Sequence, residues 1–253
     1  MRTFTIGDIH GGLKALKQLI EKLALQPDDN LIFLGDYVDG WGESAQVLDY
    51  LMELEKEHHC VFIKGNHDVY LEKWLKSLDI NDIWLFHGGL MTIKSYEGYS
   101  ETQKKEHLQF LERMKLFHVD TENRLFIHAG FTSMHGPAKE VYESNYNWDR
   151  TLWEMALIMD KRIKKDSLLY PKRLLLFKEI YIGHTPTTRY NINEPMQGCN
   201  VWNVDTGAAF KGKLSALNIE TKEFVQTEPV YLLYPEEKGR NESPYKVIKK
   251  KYS

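Results

Sequence analysis

The chain is short of several things, and each shortage excludes something. Only two of its 253 residues are cysteines, Cys60 and Cys199. Two thiols are too few for a disulfide framework and suit a reducing compartment. Cys60 opens an apolar run and reads as a small packed residue. No stretch approaches the ~18 apolar residues of a membrane span. Met1-Arg2-Thr3-Phe4-Thr5-Ile6 passes straight into a strand pattern, with no charged region leading into an apolar one. Neither a membrane partner nor a secretion signal is therefore expected, and the expected location is cytoplasmic. An excess of one charge is also missing: the formal net charge is −3, which offers no bulk attraction to nucleic acid or anionic lipid. No internal repeat or low-complexity linker divides the chain. The composition, 42 % hydrophobic and 27 % charged, is an ordinary globular balance, and the length suits one large domain. The expected division is a single domain over 1–234, followed by a basic, polar, solvated tail over 235–253 that ends in Lys249-Lys250-Lys251.

Hydrophobic patterning supplies the elements. Thr3–Ile6, Leu31–Leu34 and Cys60–Ile63 read as buried strands. Leu13, Leu16, Leu19, Ile20 and Leu23 recur at helical spacing, as do Val47, Leu48, Leu51 and Leu54 behind a candidate N-cap at Ser44. Val69–Leu78 reads as a third helix. The first third is thus β-α-β-α-β-α, the pattern of a mostly parallel sheet. The middle is more helical, with expected helices over Glu101–Phe117 and Asp149–Met159 around a short strand at Arg124–Ile127. Strands return at Ile180–Ile182, Asn200–Val204, Lys213–Ile219 and Glu223–Thr227, the last two as a hairpin.

The chemistry lies where these strands end. In open α/β sheets ligands gather beyond the carboxyl ends of strands. Gly7-Asp8-Ile9-His10-Gly11 follows the first strand, Gly35-Asp36-Tyr37-Val38-Asp39-Gly40 the second, and Gly65-Asn66-His67-Asp68 the third. His128-Ala129-Gly130 and Gly183-His184-Thr185-Pro186 follow two later ones. A lone Gly-Asp-x-His is common after strands; five strand ends in order, each bearing a ligand-type side chain, are not. Carboxylates, imidazoles and one amide oxygen form a mixed oxygen and nitrogen set, better suited to Mn²⁺, Fe or Zn²⁺ than to Ca²⁺ or thiophilic ions. Asp36, on the strand expected between the others, is the candidate bridge between two ions. Two divalent cations with Asp8, Asp36 and a hydroxide leave about one positive charge, an attraction for a phosphate dianion. His87 lacks a strand before it and reads as a loop or pocket wall. His58, His59, His107, His118 and His135 lie in charged or helical contexts and read as surface residues. Trp41, Trp84, Tyr96 and Trp148 fit a pocket wall or ordinary packing equally.

The ordered motif set resembles the calcineurin-like metallophosphoesterase superfamily over residues 1 to about 220, most of all its Ser/Thr protein phosphatases and their bacterial relatives. The resemblance implies an α/β fold in which two mixed β-sheets pack as a sandwich flanked by helices. It implies two divalent ions, Mn²⁺ first with Fe, Zn²⁺ or Mg²⁺ as alternatives. One would be held by Asp8, His10 and Asp36, the other by Asp36, Asn66, His128 and His184. His67 would protonate the leaving alkoxide, with Asp39 orienting it and raising its pKa. The sequence departs from the pattern at Gly40, where the protein phosphatases usually carry a phosphate-gripping Arg. Arg150, in Trp148-Asp149-Arg150, stands where a second such Arg could fall, with Asn66 beside the phosphate.

The expected activity is hydrolysis of phosphate monoesters by direct in-line attack of a metal-bridging hydroxide, on a phosphoprotein or a small phosphate ester. The alternative substrate is a dinucleoside tetraphosphate, cleaved symmetrically. Cyclic or other diesters are disfavoured, because Gly183-His184-Thr185-Pro186 lacks the second His that such relatives show. A non-catalytic scaffold on a dead site would predict missing ligands, and none is missing.

Overall fold

The computed structural model describes residues 1–242. Two five-stranded sheets stack face to face. The first runs β10-β9-β1-β2-β3 and the second β4-β5-β6-β8-β7. In the first sheet β1 (Thr3–Ile6), β2 (Asn30–Phe33) and β3 (His59–Phe62) are parallel, with β2 central. The expected hairpin of β9 (Ser215–Asn218) and β10 (Phe224–Gln226) pairs antiparallel and adds to β1 through β9. In the second sheet β5 (Arg124–Ile127), β6 (Glu179–Ile182) and β8 (Val201–Asn203) are parallel. The short β4 (Phe117–Val119) and β7 (Met196–Gly198) close its two edges antiparallel.

The strands alternate because both sheet faces are buried against different partners. Leu31 and Phe33 face the helices α1 (Leu13–Leu23), α2 (Ser44–Glu57) and α3 (Asn66–Ser77), whereas Ile32 and Leu34 face the opposite sheet. Phe126 and Tyr181 likewise point inward and stack at 4.9 Å between centroids, while Leu125, Ile127, Ile180 and Ile182 pack on the outer helix Thr151–Ile158. Each such fully buried side chain contributes about 1.5–3 kcal/mol. The two mixed sheets flanked by helices are the sandwich the sequence leads one to expect. No helix among the described residues is long and apolar enough to cross a membrane.

Five expectations need correction. Ser44 does not cap α2: it is the first helical residue, and its hydroxyl is buried against Asp39 N and Thr92. The helix expected over Glu101–Phe117 stops at Glu112, and the one expected from Asp149 begins at Thr151. His107 is buried rather than exposed, because Tyr96 Oη reaches its Nδ1 at 2.9 Å and Asp49 reaches its Nε2 at 2.9 Å. The segment from Pro235, expected as a solvated tail, runs against the body as far as Glu242: Glu237 accepts from Gly42 N, and Arg240 N donates to Ala209 O. Lys249-Lys250-Lys251 lies outside the described residues.

Candidate active site

The site forms where the parallel strands of both sheets point their carboxyl ends at one another. The backbone there is bent sharply. His10, Asp36, Asp39 and His184 all have positive φ, between 53° and 70°. For side chains other than glycine this region costs roughly 1–2 kcal/mol per residue and persists where surrounding contacts enforce it. The enforcing contacts are visible. Asp68, the third residue of α3, accepts from the backbone of Asp36, Tyr37 and Gly65 and so ties the β2 loop to the helix start. Gly183 is dictated by close approach: a β-carbon there would lie 2.1 Å from Asp8 Oδ1.

The imidazoles are oriented by backbone carbonyls. His10 Nδ1 lies 2.8 Å from Asp39 O, and His128 Nδ1 lies 2.7 Å from Leu34 O. Carbonyls only accept, so each ring donates from Nδ1 and turns a bare Nε2 inward. His128 Nε2 then faces Asn66 Oδ1 at 3.2 Å and Asp36 Oδ2 at 3.3 Å, and His184 Nδ1 faces the same amide oxygen at 2.9 Å. His128 Nε2 thus brings a lone pair against the oxygen lone pairs of Asn66 and Asp36, and His184 Nε2 is buried with no hydrogen-bond partner among the described residues, an arrangement a cation relieves. Burial opposes charge on His128, but Asp36, the Leu34 carbonyl and Asp68 together outweigh it and raise the ring's pKa. Burial would also push Asp36 up, yet His128 foremost holds it well below the usual carboxylate range. Asp8 goes the other way, pushed well up by burial and then by Asp205 and Asp36.

Two donor sets emerge, His10 with Asp36 and His67, and Asp36 with His128 and His184, each with donor atoms within 4.8 Å of one another. Asp36 belongs to both, as a bridging ligand must. Asp8 stands at the edge of the first set, its Oδ2 3.9 Å from His10 Nε2, and is fixed by the backbone N–H of His184 at 3.0 Å. His67 shares the first set by proximity, but its Nδ1 is taken by Asp39 Oδ2 at 2.6 Å. The residues present therefore fit a pair of divalent ions.

Asp39 accepts from Trp84 Nε1 at 2.7 Å and from Thr92 Oγ1 at 2.6 Å besides His67. Burial pushes its carboxyl up to about 7 and pushes His67 down to about 3, with Arg240 next in effect on the ring. On His67 the lowering effect of burial, with Arg240 next, outweighs the nearby Asp36 carboxylate. What Asp39 supplies is orientation, holding one ring proton on Nδ1.

A cavity of about 100 Å³ opens over the donor sets, walled by Trp148, Arg150, Arg189, Phe210 and Arg240 among others. None of the three guanidiniums is paired with a carboxylate of the described residues, and Arg150 Nε has no hydrogen-bond partner among them. Across a wall of His87, Arg189, Phe210 and Arg240 lies a larger, mostly apolar cavity of about 550 Å³. His87 is thus a pocket wall, as expected. Trp84 is not exposed to the cavity but bonds Asp39; Trp41 and Tyr96 are core. Sequence reasoning missed Asp205, Arg189 and Arg240. Asp205 carried a readable signal, since it follows the buried strand β8; it is buried beside the donor sets and pushed up to about 6, chiefly by that burial.

Comparison with known proteins agrees with this geometry. The sequence pattern of the calcineurin-like phosphoesterases matches residues 1–197. A bis(5'-nucleosyl)-tetraphosphatase PrpE of the asymmetrical kind, from Oceanobacillus iheyensis, is 27 % identical over 239 residues, covering 89 % of this chain and 91 % of its own. A protein of the same name from Bacillus thuringiensis is 28 % identical over 257 residues, covering 93 % and 98 %. Among solved structures, a protein assigned as a diadenosine tetraphosphatase superposes with a TM-score of 0.59 at 18 % identity, over 89 % of this chain and 92 % of that one. A protein serine/threonine phosphatase from Saccharomyces cerevisiae gives 0.59 at 13 % identity, over 90 % and 79 %.

Proposed function

From the premise that this chain belongs to the calcineurin-like phosphoesterases and is a metal-dependent phosphoester hydrolase, we propose that its substrate is a dinucleoside tetraphosphate, cut asymmetrically into a nucleoside monophosphate and a nucleoside triphosphate. One observation carries this reading. The small cavity over the donor sets, ringed by three guanidiniums without carboxylate partners, shares a wall with an apolar cavity of about 550 Å³. A nucleoside in the larger space places its own first phosphate over the donor sets, which favours asymmetric over symmetric cleavage. The names of the relatives from Oceanobacillus and Bacillus support the same choice, and speak for asymmetrical rather than symmetrical cleavage, the form in which the sequence offered this substrate as the alternative to monoesters.

In this reading Asp8, His10, Asp36, Asn66, His128 and His184 hold two divalent ions. Such ions supply Lewis-acid polarisation of the phosphoryl oxygens and an acidified water. Arg150 grips the equatorial oxygens as charge spreads over them. His67, held by Asp39 through Nδ1, turns Nε2 to the departing oxygen, and its doubly protonated ring, the form that burial disfavours and the Asp39 carboxylate favours, gives up the Nε2 proton as the P–O bond breaks. The dyad also favours a second reading, because an alkoxide needs that proton more than a phosphate leaving group does: hydrolysis of phosphate monoesters, phosphoproteins included.

Diadenosine tetraphosphate, p-nitrophenyl phosphate and a phosphopeptide, assayed in parallel on Mn²⁺-loaded protein, separate the readings. We expect AMP and ATP as products, with kcat/KM at least ~10-fold above either monoester, the scale of one well-used contact. Two equivalents of ADP, or a faster phosphopeptide, overturns the proposal.

A further inference from the structure

Gly40 occupies the position at which a phosphate-gripping side chain was missing, and the structure explains why none grows there. Its φ is 139°, a conformation L side chains avoid, and a β-carbon would lie 3.1 Å from His10 O. The nearest side-chain atom to that absent β-carbon beyond His10 is Arg240 Cγ, at 3.5 Å. The stem of an arginine therefore packs beside Gly40 from a residue two hundred positions away.

The route of that residue is built, not incidental. Trp41, fully buried, stacks on Tyr234 at 5.1 Å between centroids and 19° between planes, and its indole Nε1 donates to Ala208 O at 2.8 Å. Tyr234 Oη in turn accepts from Lys14 N at 2.8 Å. Gly42 N donates to Glu237 Oε2 at 2.7 Å, and Arg240 N donates to Ala209 O at 2.9 Å. The Arg240 guanidinium lies over the Phe210 ring at 5.4 Å and donates from Nη2 to His87 Nδ1 at 3.3 Å. It lines the same small cavity as His10, Asp36 and His67. Asp36, Asp39, Asp205 and Asp8 act on it from a distance, and no carboxylate of the described residues is paired with it. A guanidinium held over a metal donor set with its charge unspent is a phosphate ligand.

We propose that the segment Tyr234–Glu242 is a working part of the active site: docked on Trp41 and Gly42, it delivers Arg240 as the phosphate-gripping group that position 40 does not supply. The sequence Gly40-Trp41-Gly42 is then a dock rather than a loss. This inference rests on phosphoryl hydrolysis at the donor sets and not on the nucleotide reading, so its test uses simple probes.

The test is Arg240→Ala and Arg240→Lys on the full chain loaded with Mn²⁺, with p-nitrophenyl phosphate as substrate and inorganic phosphate as inhibitor. Arg240→Ala should raise KM and the phosphate inhibition constant roughly 10- to 100-fold, the range for losing one or two charge-assisted hydrogen bonds. The kcat should fall less, and bound metal and thermal midpoint should stay level. Millimolar guanidinium should restore part of the affinity. Lysine should restore only part, because it lacks the planar fork. Glu237→Ala, which loosens the dock without touching the small cavity over the donor sets, should move KM for p-nitrophenyl phosphate in the same direction by roughly 3- to 10-fold. Unchanged KM and inhibition constants in Arg240→Ala, with or without a loss of stability, overturn the proposal. A wild-type protein that fails on diadenosine tetraphosphate but hydrolyses p-nitrophenyl phosphate leaves it standing and removes only the nucleotide reading.

Discussion

Trp84 Nε1 and His67 Nδ1 converge on the same oxygen, Asp39 Oδ2, at 2.7 and 2.6 Å. With Thr92 on the other oxygen, the carboxylate is saturated by donors and cannot rotate away. His67 is therefore a ring with one nitrogen committed and the other turned to the cavity. The variant His67→Asn should keep both metals yet lose roughly 10²–10⁴-fold in turnover, the usual worth of a placed acid. The loss should be steepest for alkyl phosphates and mildest for p-nitrophenyl phosphate, whose leaving oxygen needs little help. Equal activity toward alkyl phosphates, measured at saturating substrate, would remove His67 from the acid role.

Asp36 takes part in both donor sets, and its Oδ1 also accepts from His67 N at 2.9 Å. Asp36→Asn replaces a charge with a neutral amide at the only residue the sets share. Metal content, read by elemental analysis after dialysis, should fall at both sites together. Loss of one ion with full retention of the other contradicts a bridging role.

The donor set was legible in the sequence because its members follow buried strands with a glycine beside them or close by: Asp8 after Ile6-Gly7, Asp36 after Leu34-Gly35, His128 after Ile127 and two residues before Gly130. Strand-end position is a local property, and local patterns survive in one dimension. Arg240 was not legible for the opposite reason. Its meaning depends on Trp41 stacking on Tyr234, a contact between residues nearly two hundred positions apart, and its own neighbours are the charged and small residues of an ordinary tail. His107 misled in a third way. Its sequence neighbours are charged, but its ring is turned inward to Tyr96 and Asp49, which no periodicity announces. Ser44 looked like a cap because caps favour serine; the structure uses its hydroxyl to hold Asp39 and Thr92 instead.

Stability should depend on acidity through Asp29. Its side chain is 1 % exposed and accepts from Arg2 N at 2.9 Å, from Gln26 N at 2.8 Å and from the Arg2 guanidinium. The Arg2 pairing holds its carboxyl well below the usual range. A depressed carboxyl stabilises the fold above its unfolded pKa of about 3.9, and the benefit fades as pH falls from there toward the folded value. Asp29→Asn should cost about 1–2 kcal/mol at pH 7, modest because Arg2 is partly exposed. Urea unfolding at pH 7 and at pH 3 should show the gap between the two proteins narrowing in acid. A gap that widens reverses the sign and the assignment.

Gly183 offers the sharpest test of how tightly the two sheets are brought together at the site. A methyl group there meets Asp8 Oδ1 at 2.1 Å, a distance no rotamer relieves while Asp8 also accepts the His184 N–H. Either Asp8 swings out of the donor set or β6 withdraws, and His184 with it. Gly183→Ala should therefore cost about 1–3 kcal/mol by overpacking and lower metal affinity as well. The two causes separate in a double-mutant cycle with Asp8→Ala, which removes the colliding oxygen. If the collision is with Asp8, adding Gly183→Ala to Asp8→Ala should cost little further stability, an interaction of roughly 1 kcal/mol or more between neighbouring sites. Strictly additive effects would mean that Gly183 is required by its backbone alone, and that the carboxylate and the strand end meet less closely in solution than their side chains indicate.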